Sequence, residues 1–312
     1  MGEHVEAARS ARQRIRGVAV RTPLVRLGAE GVPEIWLKLE NLQPIGSFKI
    51  RGAANAMLQL GREKLAGGVL TASAGNMAQG VAYCARQLGI PATVVAPDTA
   101  PRTKLDAITR LGARIIQAPF AQWWQCFADR SWPGVDAAFI HAFDDPQVQA
   151  GNGTIALELL EDLPTLQAVV VPWGGGGLAC GIAAVLAELA PPVKVFAAEI
   201  ETAAPLAAAL AAGAPREVSY TPSFVDGIGS KSVFPGMFAQ AQKLLAGSIV
   251  VTLAEAAAAL KLAAERNRVI LEGAAACAVA AALSGCAGAG PVVAIASGGN
   301  LDLQQFARLT AA

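Results

Sequence analysis

Short apolar, β-branched runs alternate with Ala- and Leu-rich segments through most of this chain, and this alternation limits the folds open to it. Six runs are predicted to be strands: Val69–Ala72, Thr93–Ala96, Arg114–Gln117, Ala168–Pro172, Lys194–Ala198 and Val292–Ala296. Five segments between them are predicted to be helices: Asn76–Leu88, Thr103–Leu111, Gly153–Leu160, Leu178–Leu189 and Leu253–Arg268. Continuous apolar strands separated by helices indicate parallel sheets covered on both faces. The pattern therefore predicts an α/β fold with ligands at the carboxyl ends of the strands.

Two segments add local expectations. Thr252 and Glu255 form a capping-box pattern that predicts the start of the last Ala-rich helix. The stretch from Trp123 to Pro133 departs from the alternation and is interpreted as a loop near a domain junction. With 312 residues, the chain is long enough for one large domain or two intertwined ones.

Composition excludes several classes of function. The net charge of +1, with no long basic block, gives no electrostatic basis for binding nucleic acid or an anionic membrane. Charged residues interrupt the Ala-rich segments, and residues 1–16 lack an apolar signal-peptide core, so neither a membrane span nor secretion is expected. Five cysteines without a CxxC pair argue against a disulfide framework or a zinc site and favour the cytoplasm. Two histidines leave few candidates for a His-based metal centre or a Ser-His-Asp triad.

Lys49 is the first candidate catalytic residue. It follows Pro44, Gly46 and Ser47, which break the chain, and Ser47 is predicted to cap a helix that carries Lys49 in its first turn. The positive end of that helix would lower the pKa of the lysine and favour the free amine. A neutral amine is what Schiff-base chemistry requires. By position alone, a surface lysine is the commoner alternative.

Gly174 to Gly177 form the most informative turn. Four consecutive glycines between a strand and a helix are costly in backbone entropy, and they let the backbone wrap closely around a phosphate at the helix N-terminus. The run matches neither the dinucleotide G-x-G-x-x-G pattern nor a P-loop. The sequence here predicts a phosphate cradle of a different type.

Two further small-residue turns follow predicted strands. Ser73-Ala-Gly-Asn76 opens a helix and presents backbone N–H groups suited to a carboxylate or a phosphate. Ser297-Gly-Gly-Asn300 places a hydroxyl at a strand end, where it can hydrogen-bond a ring nitrogen. Taken singly, each turn is equally well explained as an ordinary connection.

The order of these four segments resembles that of the fold-type II enzymes that use pyridoxal 5′-phosphate, in the serine/threonine dehydratase and serine racemase branch. Intermediate landmarks also match: Phe143-Asp-Asp-Pro146, Ala150-Gly-Asn-Gly-Thr-Ile155 and Asp226-Gly227. The resemblance implies a tryptophan synthase β-like fold with two three-layer α/β domains built on parallel sheets. It further implies a large cofactor-binding domain, residues 1–60 plus 146–312, and a small, mobile domain, residues 66–144.

The resemblance also assigns roles to residues. Lys49 would hold the cofactor as a Schiff base and carry the Cα proton, with Phe48 beside the ring. Asn76 would bond the 3′-oxygen of the cofactor, and Ser297 its pyridine nitrogen. The implied phosphate site is Gly174, Gly175, Gly176, Gly177 and Leu178. The implied substrate-carboxylate loop is Ser73, Ala74, Gly75, Asn76 and Met77.

The activity implied is elimination of water from a β-hydroxy amino acid, which gives a 2-oxo acid and ammonia. A β-replacement enzyme of the cysteine or cystathionine synthase type is the alternative, although those typically have Thr-Ser-Gly-Asn-Thr in the carboxylate loop. Racemases of the family have a second serine where this chain has Ala74, which cannot carry a proton. A protein that has lost activity has no support, since Lys49 and Ser297 are retained.

Two departures from the family bear on specificity and on metals. Met77 stands where dehydratases commonly have His; it either reshapes the pocket for a bulkier substrate such as phenylserine or is a neutral change on an apolar helix face. The family's divalent-cation site aligns with Glu199 and Ala203, but Pro205 replaces an expected acid, which makes the cation doubtful. The family further implies a homodimer, and the end of the chain at Ala312 implies no regulatory domain and no feedback by isoleucine.

Overall fold

The computed structural model describes residues 2–29 and 34–311. Residues 1, 30–33 and 312 fall within the predicted large domain and lie outside the described residues. The strands are β1 (Leu24–Arg26), β2 (Ile35–Lys38), β3 (Val69–Ala72), β4 (Ala92–Pro97), β5 (Arg114–Ala118), β6 (Ala138–Phe139), β7 (Ala168–Pro172), β8 (Lys194–Ile200), β9 (Gly247–Val251) and β10 (Val292–Ile295). A short 3-10 turn covers Glu40–Leu42.

The helices are α1 (Glu3–Arg14), α2 (Lys49–Lys64), α3 (Asn76–Leu88), α4 (Arg102–Arg110), α5 (Phe120–Asp129), α6 (Pro146–Asp162), α7 (Gly177–Leu189), α8 (Pro205–Ala212), α9 (Pro235–Leu244), α10 (Leu253–Asn267), α11 (Gly273–Leu283) and α12 (Leu303–Thr310). None of the helices in the described part of the chain is both long and apolar enough to cross a membrane.

The strands form two separate sheets. The larger has the order β1-β2-β10-β7-β8-β9 and is parallel except for β1, which pairs antiparallel with β2. The smaller has the order β5-β4-β3-β6 and is parallel throughout. This is the parallel α/β architecture that the alternating sequence pattern predicts. The residue bounds expected for a large and a small domain stay a prediction.

The larger sheet is buried on both faces, as its uninterrupted apolar strands require. Val169 and Val171 of β7 belong to one hydrophobic cluster, and Val170 between them belongs to the cluster on the opposite face. Alternate side chains of a strand point to opposite faces, so only a strand without polar positions fits between two helical layers. Burying each such valine contributes about 1.5–3 kcal/mol. A third cluster surrounds the smaller sheet and includes Ile50 and Met57 of α2.

Most predicted elements are confirmed. β3, β7 and α3 have the predicted bounds, and the other predicted strands and α4, α7 and α10 differ by one or two residues at their ends. The helix predicted at Gly153–Leu160 is longer at both ends. Its start lies further upstream because Asp145 caps it and Pro146 occupies its first position. The capping box of Thr252 and Glu255 forms as expected.

The loop predicted from Trp123 to Pro133 is wrong. Most of it belongs to the helix α5, which Pro119 precedes and which ends at Arg130 in the left-handed conformation. The physical reason is aromatic packing: Trp123 and Phe127 lie four residues apart on one helix face, with ring centroids 5.3 Å apart. The Trp-rich composition led to the prediction of a loop, although the segment forms an amphipathic helix.

Candidate active site

Lys49 is the first residue of α2 and lies next to the end of β10 in the larger sheet. The backbone N–H of Phe48 donates to the Ser297 carbonyl at 3.0 Å. The prediction that Ser47 caps α2 is wrong. Phe48 already has helical φ and ψ angles at the N-cap position, so Ser47 lies one residue too early and forms a bridge with Gly298 instead.

The lysine amine faces the smaller sheet. Its Nζ donates to the Ala142 carbonyl at 2.9 Å, just beyond β6. Burial lowers the pKa of Lys49 to about 8, while the nearby Glu272 carboxylate acts in the opposite direction. The direction agrees with the sequence-based expectation, but burial is the principal cause rather than the helix dipole. Because the pKa is close to neutral, a sizeable fraction of the amine is free and nucleophilic.

The four glycines connect β7 to α7 and lie against two aromatic rings. Gly176 has a φ of +90°, and a Cβ on it would overlap the indole of Trp173. A Cβ on Gly175 would overlap the ring of Phe143. Asn152 of α6 holds the end of the loop, since its Nδ2 donates to the Gly177 carbonyl at 3.2 Å. The first N–H groups of α7 have no partner within the helix and form a site for an anion.

The carboxylate loop predicted at residues 73–77 connects β3 to α3. The Ser73 hydroxyl accepts a hydrogen bond from the Gly75 N–H at 3.1 Å and shapes the turn. Asn76 begins α3, and its side chain reaches residues that flank the larger sheet. Met77 points the other way: its side chain is 2% exposed and belongs to the hydrophobic cluster around the smaller sheet.

The structure therefore brings the four predicted segments together between the two sheets. Ser297 follows β10, is 1% exposed and contacts the turn that carries Lys49. Asn76 and Lys49 approach the same carboxylate, that of Glu272. Since β7 and β10 are neighbours in the larger sheet, the glycine loop and Ser297 lie at the same edge.

Sequence reasoning missed three participants in this site. Ala142 contributes a carbonyl, which no sequence pattern reveals. Asn300 lies within a predicted segment but has no role assigned by the sequence; its Nδ2 donates to Asn76 Oδ1 at 2.8 Å. Glu272 has a detectable signal, because it is a charged residue directly before the wholly apolar helix α11. A buried Glu at such a position needs a partner.

Glu199, which aligns with the family's cation site, has other partners. One carboxylate oxygen accepts from the Leu206 N–H at 2.8 Å, and the other accepts from the Ala207 N–H and the Ser248 hydroxyl, each at 2.7 Å. Three hydrogen-bond donors thus occupy lone pairs of the Glu199 carboxylate that a bound cation would need. Among the described residues, no group of three or more Cys, His, Asp or Glu could hold a metal. These residues do not fit the family's divalent cation.

An amine of lowered pKa and a glycine loop at a helix N-terminus, at the same edge of a parallel sheet, are typical of one class of protein: enzymes that hold a phosphorylated carbonyl cofactor. The particular family follows from comparison. The chain belongs to the pyridoxal-phosphate dependent enzymes, whose family model matches residues 15–298.

Individual relatives agree. The chain is 40% identical over 311 residues to the L-threonine ammonia-lyase of Thermotoga maritima, covering 98% of this chain and 77% of that relative. Among solved structures, maize serine racemase superposes with a TM-score of 0.89 at 31% identity, covering 97% of this chain and 95% of the other. The processed form of threonine deaminase isoform 2 from Solanum lycopersicum gives a TM-score of 0.88 at 32% identity, covering 99% of this chain and 87% of the other.

Pyridoxal phosphate is the cofactor of this family, and the residues present fit it. Lys49 has an amine of lowered pKa, and the loop before α7 has two positions, Gly175 and Gly176, where neighbouring rings leave no room for a side chain. Two buried polar atoms at this edge, Ser47 Oγ and Trp173 Nε1, have no partner within the described residues. Unpartnered buried polar atoms are rare in folded proteins and are consistent with a bound ligand or water.

Proposed function

We propose that this protein is a dehydratase, or ammonia-lyase, that eliminates water from L-threonine or L-serine. The observation that carries the proposal is the convergence of Lys49 with a carboxylate loop that has Ala74 in place of the second serine of racemases. The relatives that are a threonine ammonia-lyase and a threonine deaminase support the same reaction.

The proposed roles are those that the family resemblance implies. Gly174 to Gly177 and Leu178 would hold the phosphate, and Phe48 would pack beside the cofactor ring. Asn76 would donate to the 3′-oxygen, and Ser297 would meet the pyridine nitrogen with a hydroxyl, which would leave that nitrogen unprotonated. When bound, the cofactor withdraws electrons from Cα of the amino acid. Lys49, whose pKa is about 8, takes the Cα proton.

The reaction balances without an oxidant or a second substrate. The Cα proton and the β-hydroxyl leave as one molecule of water, and the electron pair of the Cα–H bond forms the Cα–Cβ double bond. Addition of one water to the tautomerised product releases ammonia and leaves the 2-oxo acid. The net change is the loss of ammonia from the amino acid.

Three other activities are less favoured. Racemisation needs a proton carrier on the opposite face, and Ala74 has none. A pocket widened for phenylserine would require Met77 to face the substrate, but this side chain is buried in the core, which favours the neutral interpretation of the change. β-Replacement remains the runner-up, and its discriminating observation is product formation only when a second nucleophile is supplied.

We infer in addition that the protein acts in the cytoplasm as a homodimer. All five cysteines are free, and four of them are buried. Free thiols favour a reducing compartment. The dimer is proposed from the family resemblance.

The test is the release of 2-oxo acid and ammonia from L-serine, L-threonine, 3-hydroxyaspartate and both threo and erythro phenylserine. We expect L-threonine or L-serine to react fastest and K49A to release nothing. Turnover by K49A would refute the role of Lys49. If no member of the panel reacts while the cofactor is visibly bound, the dehydratase proposal is wrong, and a thiol co-substrate then tests β-replacement.

A further inference from the structure

Glu272 lies at the N-cap of α11, but its side chain does not cap that helix. Both carboxylate oxygens instead accept from Nδ2 of Asn76, at 2.9 and 3.1 Å. The residue is 8% exposed, and its N–H donates to the Gly298 carbonyl at 3.0 Å. Burying a charged carboxylate is costly unless hydrogen bonds or an opposite charge compensate for the lost solvation.

The amide of Asn76 is held from two sides. Glu272 accepts from its nitrogen, while Asn300 Nδ2 donates to its oxygen at 2.8 Å and also to the Ile45 carbonyl at 2.9 Å. An ionised carboxylate can only accept, so it fixes which end of the amide faces it. Only one amide orientation satisfies both neighbours.

Glu272 also shares its electrostatic environment with Lys49. Burial, helped by the charge of Asp226, raises the pKa of Glu272 to about 7, although the hydrogen bond from Asn76 and the charge of Lys104 act in the opposite direction. In turn, the Glu272 carboxylate opposes the effect of burial on Lys49. The charged groups that face Glu272 therefore come from α2, α4 and the loop that contains Asp226.

We propose that Glu272 is a positioning residue that orients the Asn76 amide for the cofactor and makes cofactor binding depend on its own ionisation. The protonated carboxyl would keep one acceptor oxygen and turn the other into an O–H donor, so it would hold less firmly the amide orientation that Asn300 requires. The inference rests on Lys49 and Asn76 holding the cofactor as proposed above, but not on the identity of the amino acid substrate.

The experiment is titration of the apo-enzyme with pyridoxal 5′-phosphate at pH 6 and pH 8, followed by the absorbance of the bound cofactor and by tryptophan fluorescence. The ionised fraction of a group with a pKa of about 7 changes about tenfold between pH 6 and pH 8. The ratio of cofactor affinity at pH 8 to that at pH 6 should therefore be about tenfold larger for the wild type than for E272Q. The glutamine keeps the shape and the acceptor but cannot ionise.

Three variants keep the result interpretable. E199Q alters another buried Glu whose carboxylate bonds a helix N-terminus, and it should retain the wild-type pH dependence. N300A should weaken cofactor binding at both pH values without changing their ratio. E272D retains the ionisable group with a shorter side chain. If E272Q folds poorly, E272D is measured instead and should show the pH dependence of the wild type.

A wild-type ratio in folded E272Q would overturn the proposal, as would loss of the ratio in E199Q. Because no amino acid substrate is present, these outcomes are independent of the product panel. Failure of the panel with intact cofactor titration would refute the dehydratase and leave the role of Glu272 standing.

Discussion

Gly176 shows how strictly a single residue is specified in the glycine loop between β7 and α7. Its φ of +90° lies in the region that L-residues avoid, at a cost of about 1–2 kcal/mol. The indole of Trp173 also fills the space that a Cβ would need. Strain and overlap therefore act together, and the overlap lies directly at the loop proposed to hold the phosphate.

We expect G176A to lose most cofactor affinity, because the loop must move away from Trp173 to accept a methyl group. G213A is the matched control: Gly213 has a φ of +72° at the end of α8, but no atom lies within 4 Å of the place that a methyl group would take. G213A should lose about 1 kcal/mol of stability and bind cofactor normally. Equal affinities of the two variants would show that the overlap at Trp173 has no consequence.

At the scale of one element, α8 shows how a buried carboxylate can organise a helix start. Glu199 at the end of β8 accepts from the second and third N–H groups of α8, and Pro205 occupies the first position, where no N–H is needed. Ser248 of β9 adds a third hydrogen bond. Burial raises the pKa of Glu199, and these three hydrogen bonds oppose that effect.

A chelator should therefore leave the wild-type unfolding temperature and turnover unchanged. E199Q should lower stability by about 1–2 kcal/mol, since one carboxylate oxygen becomes an amide that cannot accept. E201Q serves as the control, because Glu201 bonds the Leu253 N–H at the exposed start of α10 and should cost less. A chelator-induced loss of stability that added Mg²⁺ or Ca²⁺ reverses would contradict this assignment.

Over the whole molecule, sequence patterns predict the parts whose causes are local. The buried strands β3 and β7 and the glycine loop are predictable because their composition has few alternatives. The helix α5 is missed because its Trp residues resemble a loop until the neighbouring rings are in place. Glu272 could not be assigned to Asn76 because they are 196 residues apart and the contact depends on how the two sheets are brought together.

A buried ionic network connects the start of α2, the helix that carries Lys49, to the larger sheet. The guanidinium of Arg51, two residues after Lys49, donates to both oxygens of Glu40 at 2.8 Å and to those of Glu158 in α6 at 2.7 and 2.9 Å. Lys38 of β2 also contacts Glu158, at 2.6 Å. Burial is the largest single influence and would raise the pKa of Glu40, but the charge and hydrogen bonds of Arg51, with Thr22 and Lys38, together outweigh it and lower the pKa.

R51M should destabilise the protein by about 3–5 kcal/mol, because two buried carboxylates lose their shared partner. R21M removes the same charge from Arg21, which is 48% exposed and pairs with Glu161 and Asp162 of the same helix α6, and should cost less than about 1 kcal/mol. Denaturant unfolding of both variants provides the comparison.

The pH dependence separates the charge effect from lost packing. Glu40 has a pKa below its ordinary value of 4.5 in the folded chain, so its stabilisation is present above that value and is lost as the pH falls through the folded-state pKa. The difference between wild type and R51M should therefore be full at pH 7 and shrink in acid. A difference that is constant with pH would assign the loss to packing of the arginine side chain, and the network would then not hold α2 through charge.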